Sequence, residues 1–196
     1  FKSILLDFKM KKLFIILILL NLNISYAQSL EADVFVQSTV NRASDVLSKN
    51  ISKEEKINGR KIIAKETVDI RGVGFYSLGS FRKNLDNNQK KTYLYLFENY
   101  FLKSFSSRLS EYTKPKIDVI GKKVINENYT MVNSLLVATS ERPEIKIDWR
   151  IYTKNPENPL IRDLIIEGLS LARTQKEEFT SILNSNNSDI NVLFQT

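Results

Sequence analysis

The chain has 196 residues, 42% of them hydrophobic and 26% charged, with 29 basic and 22 acidic side chains and a net charge of +7. That size and mixture suit a single globular domain. Cysteine and histidine are both absent, which excludes disulfides, the usual Cys/His zinc sites and histidine acid–base chemistry.

The N-terminus reads as a secretory leader. Met10-Lys11-Lys12 is a basic start, Leu13 to Leu20 an unbroken apolar run, and Ser25-Tyr26-Ala27 a small-x-small cleavage signal before Gln28. The run is shorter than the roughly 20 residues that a spanning helix needs, and Lys9, Lys11 and Lys12 block its extension backward. Cleavage is expected after Ala27, Phe1 to Lys9 read as sequence upstream of the initiator Met10, and no cysteine follows to carry a lipoprotein anchor. Without residues 1–27, which hold four lysines and one aspartate, 25 basic and 21 acidic side chains remain, a net +4. This excess is spread along the chain and is no nucleic-acid footprint.

Ser29 to Ser48 predicts a helix, with Val36, Val40, Ala43 and Leu47 at helical spacing. Ser52 and Glu55 form a capping box for a second helix ending near Val68. Asp69 caps a short third one through Val73, Phe75 and Leu78, where Gly72, Gly74 and Gly79 break the helix or permit close packing. Asp86 and Gln89 open the longest helix, predicted to run to Tyr112 before Pro115. Tyr93, Phe97, Phe101, Phe105 and Leu109 recur at every fourth position, a wide aromatic stripe.

Sheet follows. Lys116 to Asn126 and Tyr129 to Thr139 predict two strands joined by an Asn-Glu-Asn turn, with Ile117, Val119, Val124, Met131, Leu135 and Val137 as the buried positions. In the third strand Ile145, Ile147, Trp149 and Ile151 alternate with polar residues. Asn155, Pro156, Asn158 and Pro159 turn the chain into a fourth strand, Leu160 to Leu171, in which Gly168 is expected to make a bulge. Thr174 and Glu177 predict the capping box of a closing helix. The expected architecture is α+β, with N-terminal helices, a four-stranded antiparallel meander and C-terminal helices. The long aromatic helix is expected to lie across the apolar face of the sheet.

Catalytic signals are weak. No histidine can activate a serine, no G-x-S-x-G elbow exists, and Gly72-Val73-Gly74 lacks the strand–turn–helix context of a dinucleotide loop. Asp148, Asp163 and Glu167 are carboxylates on adjacent strands, and a desolvated pair would support acid–base work. Pairing with Arg150 and Arg162 is the plainer reading. The apolar bulk of Phe97, Phe101, Phe105, Ile147, Trp149, Ile166 and Leu169 is either an ordinary core or the wall of an apolar ligand pocket.

The motifs also carry a resemblance. Val68 to Arg82, read V-D-I-R-G-V-G-F-Y-S-L-G-S-F-R, then Gln89, Phe97, Tyr100 and Tyr112, then Asp163, Glu167, Gly168 and Ser170, resemble in order and spacing the MlaC family of periplasmic phospholipid-binding proteins. One departure is Leu160, where the family usually has tryptophan. The resemblance implies a periplasmic carrier without catalysis or cofactor, residues 28–196 forming one phospholipid-binding domain. Its part 28–112 would be mainly helical and 116–196 nuclear-transport-factor-2-like. It further implies exchange of phospholipid between an outer-membrane lipoprotein complex and an inner-membrane ABC transporter with an MCE-domain subunit, maintaining outer-membrane lipid asymmetry. On the apolar faces, Phe105, Ile147, Trp149, Ile166 and Leu169 are then expected to line the tail pocket, with Phe97, Phe101 and Tyr76 next to them. The alternative is a secreted dehydratase or isomerase using Asp163.

Overall fold

A computed structural model describes residues 30–109 and 115–195; the expected leader and Tyr112 lie outside them. Among these residues four α-helices come first: α1 (Ala32–Ser48), α2 (Lys53–Thr67), α3 (Ile70–Ser77) and α4 (Asn87–Leu109), with a 3₁₀ turn at Gly79–Lys83. Strands β1 (Ile117–Asn126), β2 (Tyr129–Leu136), β3 (Ile145–Tyr152), β4 (Leu160–Ile166) and β5 (Leu169–Ser170) follow, then α5 (Leu171–Ser185) and α6 (Ile190–Gln195). The helix starts obey local chemistry. Ser52 Oγ accepts from Glu55 N at 3.2 Å while Ser52 N donates to Glu55 at 2.8 Å, Asp69 accepts from Gly72 N at 2.7 Å, and Asp86 and Gln89 cap each other reciprocally.

The strands form an antiparallel sheet in sequence order. Three expectations change. The predicted fourth strand is two: Glu167 and Gly168, both at positive φ, form a two-residue hairpin turn that pairs Ile166 with Leu169. Gly168 therefore makes a turn, and the bulge lies at Arg162, between the pairs Arg150–Asp163 and Ile151–Ile161. Second, α5 starts before Thr174. Ser170 Oγ accepts from Arg173 N at 3.0 Å as its cap, and Asp163 accepts from Ser170 Oγ at 2.6 Å and Ala172 N at 3.0 Å, pinning the helix start to β4. Thr174 instead donates back to Ser170 O inside the first turn.

Third, the inward face of β2 is Thr130, Val132, Ser134 and Leu136, while Met131 and Leu135 are only half-buried. Both faces carry apolar side chains, so the alternation was ambiguous, and the inward hydroxyls are satisfied: Ser134 donates to Ile147 O at 2.9 Å. Irregularities at Ile120 and Ile125 shift the phase of β1, leaving Val124 exposed.

Among the described residues the buried apolar side chains form two clusters. One is helical, uniting Leu78, Tyr93, Phe97, Phe179 and Leu183. The other joins Phe35, Val36 and Val40 of α1 to Val132, Trp149 and Ile151 of the sheet. The helix seated on the sheet is thus α1 rather than the aromatic helix. Its Gln37 grips the edge of β1, donating to Ile117 O at 3.2 Å and accepting from Val119 N at 3.0 Å. The aromatic α4 packs on α2, α3 and α6. The α2–α3 junction reaches the sheet where Val68 bridges Ile161 and Asp69 N donates to Ile161 O at 3.0 Å.

Candidate functional site

A cavity of about 320 Å³ opens between the two clusters, within the size range of small-molecule sites. Its helical wall is built on the α4 stripe. Phe101 and Phe105 stack at 5.8 Å with planes 12° apart, and Phe97 continues the ladder 6.3 Å from Phe101. The opposite wall carries Ile147, Trp149 and Ile166, brought level by the register that pairs Ile147 with Ile166 and Trp149 with Leu164. Trp149 Nε1 donates to Ser134 Oγ at 2.8 Å. With its polar atom satisfied, the indole presents only apolar surface.

Six of the eight residues singled out from the sequence meet here: Phe97, Phe101, Phe105, Ile147, Trp149 and Ile166. Leu169 and Tyr76 do not. Leu169 is 55% exposed, because the Glu167–Gly168 turn carries the chain out to a two-residue edge strand. Tyr76 is 38% exposed on the outer side of α3, with the Lys176 ammonium 5.3 Å from its ring centre. It borders a separate surface depression with Arg173 and Lys176. Residues not singled out close the cavity: Val40, Ala43 and Leu47 from α1, and Arg60 and Ile63 from α2. The α1 positions were visible as a helical stripe. Arg60 was not read from the sequence; the structure puts it on one buried helical row with Ile63, Ala64 and Thr67.

Among the described residues the wall contains four charged side chains: Arg60, Arg162, Asp163 and Glu178. Arg162 pairs with Asp69 at 2.6 Å and covers the Tyr152 ring at 4.6 Å. Asp163 is committed to Ser170 and Ala172, with Arg150 at 3.9 Å. Glu178 accepts from Gln175, which in turn accepts from the Tyr100 hydroxyl at 2.8 Å and so ties α5 to α4. Asp148 accepts from Asn133 at 2.7 Å and Glu167 from the Lys146 amide, so the three strand carboxylates each hold backbone or side-chain donors. Arg60 is buried, and desolvation lowers its pKa from the usual arginine range. Near the cavity Tyr93 donates to Gly74 O at 2.9 Å, and burial pushes its phenol far above the ordinary tyrosine value. Among the described residues no helix is long and apolar enough to cross a membrane.

A family model described as MlaC protein matches residues 37–196. Among solved structures, the chain is similar to a phospholipid-binding protein from Ralstonia solanacearum in complex with a phospholipid. The TM-score is 0.71 at 15% identity, covering 85% of this chain and 94% of that one. At that identity the likeness shows a shared fold. No curated protein matches the sequence.

Proposed function

The chain belongs to the MlaC family, and we propose that it is a phospholipid carrier that holds acyl tails in the cavity between its helical and sheet cores. The observation that carries this reading is the cavity itself, where aromatic and aliphatic side chains from both cores face a space instead of each other. The Ralstonia protein of the same fold, solved with a phospholipid bound, supports it. The physics agrees. Each buried methylene is worth about 0.8 kcal/mol, so two acyl chains represent on the order of 20 kcal/mol that bars unaided transit through water. An apolar cavity removes most of that barrier and leaves exchange with a membrane nearly balanced, so partners can set its direction.

We further propose that the protein works in the periplasm after cleavage behind Ala27, supported by the leader pattern of residues 10–27. There it would pass phospholipid between an outer-membrane lipoprotein complex and an inner-membrane ABC transporter with an MCE-domain subunit, maintaining outer-membrane lipid asymmetry. The enzyme reading has no comparable support, since both oxygens of Asp163 already accept hydrogen bonds that start α5.

The test is to express the full chain in a Gram-negative host, recover it from the periplasm and extract lipid for mass spectrometry. Phospholipid should co-purify, and the mature N-terminus should be Gln28. Phe105→Glu, in the cavity wall, should lose the lipid. Tyr95→Glu should retain it, because Tyr95 is 70% exposed on the same helix. Lipid-free wild-type protein that also takes up none from vesicles would refute the carrier.

A further inference from the structure

Among the described residues, three of the four charged groups in the cavity wall have partners, and the fourth does not. Arg60 is 3% exposed, its Nε has no hydrogen-bond partner, and among the described residues no hydrogen bond or ion pair engages its guanidinium. It stands on the inward row of α2 with Ile63 and Thr67, which line the same cavity. Arginine keeps its charge in proteins, and a buried charge is ordinarily paired or bound. An unpaired one in an apolar wall is costly, and an unbranched apolar side chain would fill the position without that cost. Stability of the empty protein therefore does not explain Arg60, whereas a ligand does. The planar fork of guanidinium donors matches a carboxylate or phosphate with two parallel bonds.

We propose that Arg60 forms an oxyanion subsite inside the cavity, so that the bound amphiphile sets a carboxylate or phosphate against the guanidinium while an acyl chain lies along Phe101, Phe105 and Trp149. This inference rests on the lipid-carrier reading and narrows its ligand to anionic amphiphiles. A fatty-acid carboxylate and the phosphate of a phospholipid share the required chemistry.

Two matched pairs of probes separate them: palmitate against 1-hexadecanol, and phosphatidylglycerol against diacylglycerol with the same tails. Each is titrated into the delipidated protein, with Trp149, the single tryptophan of the chain, as the fluorescent reporter. Wild type should prefer the anionic member of at least one pair by about tenfold or more, and Arg60→Met should lose that preference while binding the neutral member within about twofold of wild type. Arg60→Lys, which keeps charge but not the fork, should fall between. A preference confined to the palmitate pair assigns the carboxylate; one in the glycerolipid pair assigns the phosphate. The delipidated Arg60→Met protein should melt no lower than wild type. A lower Tm, no discrimination by wild type, or equal loss of charged and neutral probes would each overturn the subsite. Wild-type binding without charge preference would sink the subsite alone; failure to bind any of the four probes would sink the carrier reading as well.

Discussion

Phe97 and Phe105 stand about two turns apart on one face of α4 and belong to different environments. Phe97 is buried, edge-on to Phe179 at 6.2 Å and 86°, and so close to α3 that a Cβ on Gly74 would sit 2.8 Å from its ring. Phe105 is half-buried, stacked on Phe101 and otherwise bordering the cavity. Residue type and helical phase are the same at both positions. What differs is the facing element: α3 and α5 come into contact with the first ring, while the sheet opposite the second is already covered by α1. A ring becomes core where a glycine and a complementary aromatic meet it, and cavity wall where the next layer stands off.

The largest expected effect tests that contrast. Phe97→Ala should destabilise the protein by about 3–5 kcal/mol, and Phe105→Ala by less than about half as much, because a void already adjoins the second site. Urea unfolding of both variants measures this, and equal costs would erase the distinction between the two ends of α4. Next comes the sheet wall. Ser134→Ala leaves the indole N–H of Trp149 buried without its acceptor, which should cost about 1–3 kcal/mol. It should also change the emission of Trp149. An unaltered spectrum and stability would mean that the indole is held by packing alone.

Much of this contrast was legible beforehand. The caps at Ser52, Asp69 and Asp86 are local chemistry, and the structure has all three. The α4 stripe and the β3 alternation account for five of the six expected residues that reach the cavity wall, because periodicity fixes which side chains share a face, and Ile166 comes from the apolar run of β4. The misses lie where tertiary pairing overrides pattern. Leu169 belonged to an apolar run, but Glu-Gly at positive φ folds that run back on itself. The inward face of β2 was hidden because Ser134 and Thr130, polar in sequence, are buried with their hydroxyls bonded. Which helix covers the sheet could not be read from the amount of apolar bulk, since the ring-rich α4 packs mainly on other helices. The short stripe Phe35, Val36 and Val40 of α1 packs on the sheet, and the Gln37 amide adds two bonds at the β1 edge.

That edge supplies the two smaller predictions. Gln37→Ala removes both bonds and should cost about 1 kcal/mol, loosening α1 from the sheet while leaving the α3–α4 core intact. Hydrogen exchange at Val119 N, as against amides of α3, reads the difference, and uniform acceleration throughout the protein would contradict it. The weakest effect belongs to the start of α1, where the Lys122 ammonium meets Asp33 at 2.8 Å and also Glu31. The bond from Lys122 depresses the Asp33 pKa, and bonds to Asp33 and Glu31 raise that of Lys122. Stability from Asp33 is therefore present above its unfolded pKa and lost as pH falls through the lower folded value. Stability from Lys122 is present below its unfolded pKa and lost as pH rises through the higher folded one. Between these limits wild type should melt slightly above Lys122→Met, and the gap should close at acid pH and shrink in salt, as exposed pairs do. A gap that persisted in acid and in salt would have to come from the lysine stem packing on the sheet edge, making that seam apolar rather than electrostatic.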